Sequence, residues 1–61
     1  MKKTTTDQYL VGRGVSMDII TNKKTLEVDT VIIDYGKNAV RLFPFEAREL
    51  ARLINELVGG E

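Results

Sequence analysis

With 61 residues the chain has room for one domain, and its nine Lys/Arg against nine Asp/Glu leave no net charge. It holds no cysteine and no histidine, which excludes disulfides, Cys/His zinc sites, and the commonest general base and strongest neutral-pH nucleophile of enzymes. Hydrophobic residues at 43% and charged residues at 30% are values of a folded globular chain, and no apolar run approaches the roughly 20 residues that span a bilayer.

A chain of this size buries only about 60% of the surface its unfolded form exposes. Without disulfides or a structural metal, a partner subunit is the remaining common source of stability, so a homodimer is the expectation. The opening MKKTTTDQ is not followed by an apolar stretch of signal-peptide length, and a cytoplasmic location is the default. The charge is unevenly spread. Residues 1–25 carry five Lys/Arg against two Asp/Glu, and residues 26–61 carry four against seven.

In chain order, residues 1–8 have no hydrophobic anchor and are read as a flexible N-terminal arm, with a single α+β domain over 9–61. The first strand is predicted from Tyr9 to Thr21, where Val15, Met17 and Ile19 alternate with Ser16 and Asp18. Gly12 and Gly14 are read as a bend or bulge within it. The polar TNKKT then turns the chain into a second strand from Leu26 to Tyr35, rich in Val and Ile. YGKN leads to a third strand, NAVRLF.

Register follows from the apolar pattern. A two-residue Gly36–Lys37 loop, or a four-residue Tyr35–Asn38 one, sets Ile33 opposite Val40 and Val31 opposite Leu42, whereas a three-residue loop would set Ile33 opposite Arg41. A loop centred on Lys23–Lys24 pairs Ile19 with Val28 and Thr21 with Leu26, but a regular strand then points Val28 and Val31 to opposite faces. It also sets Asp18 directly against Asp29, an unfavourable like-charge pair. Two arrangements answer this. The favoured one is a β-bulge near Asp29–Thr30, which removes both difficulties and gathers Leu26, Val28, Val31 and Ile33 on one face. The other is a regular strand with apolar groups on both faces of the sheet, one covered by the helix and the other by a second subunit.

The last element is an amphipathic helix opened by Pro44, with Glu46 and Glu49 near its N-terminal end and Gly59–Gly60 as terminator. Ala47, Leu50, Ala51, Leu53, Ile54, Leu57 and Val58 form the stripe expected to face the sheet. Phe45 falls opposite that stripe, beside Glu49, Arg52 and Glu56. It either leans back over Phe43 at the first turn or stands as an exposed aromatic anchor. The expected fold is a three-stranded antiparallel β-meander with one C-terminal helix on one face.

No catalytic, cofactor or metal site is expected. Asp18, Glu27, Asp29 and Asp34 read as solvated alternating strand residues, and an Asp18–Asp29 cation site has no ligand-rich loop to support it. The GRG at Gly12–Gly14 does not extend to GxGxxG, because Met17 stands where the third glycine belongs. What remains is a small non-catalytic protein-interaction module, a homodimer serving as regulator, inhibitor or accessory subunit of a larger protein. Its candidate contacts are Phe45, Arg48, Arg52 and Ile32. The alternative is a small DNA- or RNA-binding regulator using its sheet face with Lys2, Lys3, Arg13, Lys23, Lys24 and Arg41. Zero net charge and poor clustering stand against it.

Overall fold

The computed structural model describes residues 3–59. Four antiparallel strands lie in sequence order, β1 (Thr4–Gly12), β2 (Val15–Asn22), β3 (Val28–Tyr35) and β4 (Asn38–Leu42), followed by helix α1 (Pro44–Leu57). The sheet therefore has one strand more than the sequence pattern suggests. The extra strand comes from splitting the predicted first strand at GRG and adding residues 4–8, which pair with β2 through Thr4–Asn22 to Gln8–Asp18. Threonine is β-branched and suits a pleated surface even where nothing apolar marks a core-facing side.

Each turn has a local cause. Arg13 (φ 51) and Gly14 (φ 79) both take positive φ, the requirement of a type I′ hairpin whose twist matches that of its strands. Gly36 (φ 61) opens the two-residue turn between Tyr35 and Asn38. Between β2 and β3 the Asn22 side chain sets the loop. Its Oδ1 accepts the amides of Lys24 (2.8 Å) and Thr25 (3.0 Å), and the Asn22 carbonyl accepts that of Leu26 (2.8 Å). Leu26 is thereby held at φ 64, 78% exposed, and joins neither strand. The expected Thr21–Leu26 and Ile19–Val28 pairs are replaced by Thr21–Val28 and Ile19–Val31.

That register contains the bulge. Ile20 pairs with Thr30 and Thr21 with Val28, leaving Asp29 as the extra residue, so Val28, Val31 and Ile33 share one face. Ile33–Val40 and Val31–Leu42 pair as the sequence predicts. Cross-strand rows on this face read Asp7–Ile19–Val31–Leu42 and Tyr9–Met17–Ile33–Val40. The opposite face is more polar, with rows Leu10–Ser16–Asp34–Ala39 and Gln8–Asp18–Ile32–Arg41.

Helix α1 touches β3 and β4 but neither β1 nor β2. It lies on the apolar face, where Leu42 meets Leu50 and Leu53 beside one groove. Val31 beneath is the one buried hydrophobic residue among those described, at 6% exposure. The stripe expected to be fully engaged is only partly so. Leu50 and Leu53 are about two-fifths exposed, whereas Leu57 and Val58 are 82% and 77% exposed, so the helix leaves the sheet along its length. The radius of gyration, 12.9 Å, exceeds the roughly 10.5 Å of a compact chain of this length.

Arg13 carries a Cβ into a conformation that disfavours one. Arg13→Asn should raise stability by about 0.5–1 kcal/mol, since Asn-Gly is the preferred pair in this turn. An unchanged urea midpoint would mean the strain is relieved elsewhere.

Candidate protein-interaction surface

The start of α1 fixes the aromatic residues. Phe43, the N-cap, is extended (φ −73, ψ 157), and Pro44 takes the first helical position, where its missing N–H leaves no bond unmade. The Phe43 amide donates to Glu46 Oε1 (2.9 Å) and its carbonyl accepts the Ala47 amide (3.0 Å). Phenylalanine has no side-chain acceptor, so only the glutamate half of a capping box forms. These bonds hold the two rings parallel, with centroids 6.0 Å apart and planes 8° off. Each residue remains 63% exposed.

The two readings of Phe45 thus describe one arrangement, in which it stacks on Phe43 and still faces solvent. It also walls an open groove of about 380 Å³ with Leu42, Leu50 and Leu53, rimmed by Glu46 and Glu49. The sequence pattern alone assigns Phe43 to an alternating strand position. Its place immediately before the only proline is the signal that it instead caps the helix.

The arginines differ. Arg52 is engaged within its own helix, to Glu49 Oε2 at 2.6 Å and Glu56 Oε2 at 2.7 Å. Its hydrogen bonds hold the Glu49 carboxyl below the usual carboxylate range, and the same bonds raise Arg52 itself. As a contact it would present an internally neutralised ladder, not a free cation. Arg48 is exposed and has no ion pair among the described residues. Ile32 lies on the other face of the sheet, half-buried between Asp18 and Arg41, and is not part of the Phe45 groove.

The basic candidates are dispersed. Lys3 and Lys23 meet at one end of the sheet, where the Lys23 amide donates to the Lys3 carbonyl (2.9 Å), with Lys24 adjacent. Arg13 occupies the β1–β2 turn at the other end, and Arg41 stands on β4. Lys2 and the Gly60 of the expected terminator lie outside the described residues.

One feature that the pattern does not signal is a carboxylate pair on the polar face. With Leu26 left out of the strand, the register takes Asp18 away from Asp29 and sets it opposite Ile32, diagonal to Asp34, which pairs with Ser16. Partial loss of solvent raises the Asp34 pKa above its ordinary range. The charge of Asp18 and a hydrogen bond with it, possible only while one carboxyl holds a proton, raise it further. Asp18 Oδ1 is buried without a partner. No group of three or more side chains able to hold a metal occurs among the described residues, and none of their helices is long and apolar enough to cross a membrane.

Comparison with protein-family models, with curated proteins and with solved structures gave no match.

Because Asp34 is harder to ionise folded than unfolded, it favours the native state below its ordinary pKa of 3.8. It opposes that state increasingly as pH rises from there through its raised folded value. Asp34→Asn should therefore melt higher than the parent at pH 7, with the difference shrinking toward zero below pH 3.8. A pH-independent difference would sink this reading.

Proposed function

We propose that the protein is a small non-catalytic interaction module that works as a homodimer and docks on a larger protein as a regulator or accessory subunit. The carrying observation is surface. The chain exposes 5337 Å², whereas a compact monomer of 6.9 kDa exposes about 4,000 Å². The excess, about 1,300 Å² per chain, corresponds to some 2,600 Å² for a pair, within the range of obligate homodimer interfaces. Net charge of zero means that two copies meet without overall repulsion.

The aromatic pair supplies a second contact. Two parallel, exposed rings beside an apolar groove with an acidic rim suit a partner that inserts an apolar side chain and offers a basic one. Nucleic-acid binding finds no comparable support, because Lys3, Lys23 and Lys24 cluster at one end of the sheet with Arg13 at the other.

Light scattering after size exclusion should give twice the chain mass at low and high salt alike, since an apolar seam is nearly indifferent to screening. A monomer at both would overturn self-association. Phe45→Ala should change stability by no more than about 1 kcal/mol, because the ring is mostly exposed and loses chiefly its stacking partner. It should nonetheless weaken capture of the larger partner. A loss of about 3 kcal/mol or more would identify Phe45 as a core residue instead.

A further inference from the structure

Helix α1 overhangs its own sheet at one end, and the same sheet face has no helix over β1 and β2. Leu57 and Val58, at 82% and 77% exposure, have no strand beneath them, while Tyr9 is 51% exposed in a row with Met17 and beside Asp7 and Ile19. Asp7 is the one charged side chain among the described rows of that face. Each chain therefore carries an exposed apolar helix end and a half-sheet with no helix over it, whose Tyr9, Val15, Met17 and Ile19 stand beside Thr5, Asp7 and Thr21.

Resting on the homodimer reading above, we infer that two copies associate by reciprocal cover. The C-terminal end of α1 and its cap in each chain, Ile54 to Val58, lies over the β1–β2 half of the apolar face in the other. Such an exchange is isologous. The same two patches are used twice, so the interface closes at two chains and leaves no repeating contact for a filament. The area fits as well. A helix–helix seam alone would leave Tyr9 and Met17 wet, and an edge-to-edge pairing of β1 would leave Leu57 and Val58 wet. Reciprocal cover is the arrangement that reaches both patches with one contact. The aromatic pair at the other end of the helix stays outside the seam, free for a further partner.

The absence of native cysteine makes the test clean. Tyr9→Cys and Leu57→Cys chains are prepared separately, checked by circular dichroism, mixed, and treated with a short bismaleimide. Reciprocal cover predicts a covalent dimer in the mixture in several-fold excess over either variant alone. Asp7→Cys with Val58→Cys, both at exposed positions, serves as a second pair should the first disturb folding. Unmodified protein is weighed in parallel by light scattering. A dimer in which only Leu57→Cys chains link to each other, or only Tyr9→Cys chains do, overturns the seam and leaves self-association standing. A monomer with no cross-link overturns both.

Discussion

The common face of Val28 and the Val31–Ile33 pair depends on one extra residue in β3. Side chains alternate along a strand with period two, so a one-residue slip exchanges the two faces completely. Val28 and Val31 are three apart, and without the bulge at Asp29 one of them would point to the polar face. The bulge allows the Thr21–Val28 pair and the Ile19–Val31–Leu42 row to share a face. Asp18 is separated from Asp29 by the longer β2–β3 connection, which leaves Leu26 out of the strand and brings Ile32 opposite Asp18. One face then becomes apolar enough to receive a helix. The other collects Asp18, Asp34 and Arg41.

The acidic pair on the polar face follows from the whole register of β3, set by the exclusion of Leu26 together with the bulge. Shifting β3 by three residues against β2, from Asp18 opposite Asp29 to Asp18 opposite Ile32, trades a direct Asp18–Asp29 opposition for a diagonal Asp18–Asp34 approach. A diagonal pair is farther apart than a direct one and repels less. It is nonetheless close enough, in partly desolvated surroundings, to hold Asp34 above its usual range. The fold thus reduces like-charge repulsion without removing it. The residue keeps a small liability at neutral pH that an amide would lack.

How much was legible in the sequence depends on whether a side chain or the backbone made the decision. The β3–β4 register could be read because four branched apolar residues have one sensible pairing across a two-residue turn. The bulge could be read because the regular alternative placed like charges together. The GRG turn was harder, since arginine at positive φ is sterically disfavoured and propensity points to a bend within one strand. Residues 1–8 carry no apolar marker and so resemble an arm in sequence, yet residues 4–8 pair along the edge of β2. At Asn22 a side-chain acceptor took two backbone amides and displaced Leu26 from the strand, an outcome hidden from any hydrophobic count. Phe45 was legible as exceptional, but its stacking on Phe43 follows from the cap, which no periodicity describes.

The helix shows why this sheet is too small for its own stripe. α1 spans 14 residues, about 21 Å of rise, and crosses only β3 and β4, the latter five residues long. Contact with two strands about 4.8 Å apart leaves the stripe of the helix only partly covered, from two-fifths exposed at Leu50 and Leu53 to four-fifths at Leu57. Its first turn is tied to β4 by Pro44 and the Glu46 cap, so it cannot slide inward to centre itself over β2. Leu57 and Val58 are therefore left beyond the strands by the connection itself. A longer β4–α1 loop would let the chain satisfy its own sheet. The short one leaves an apolar helix end and a bare half-sheet on the same molecule, a combination that a second copy can resolve twice over.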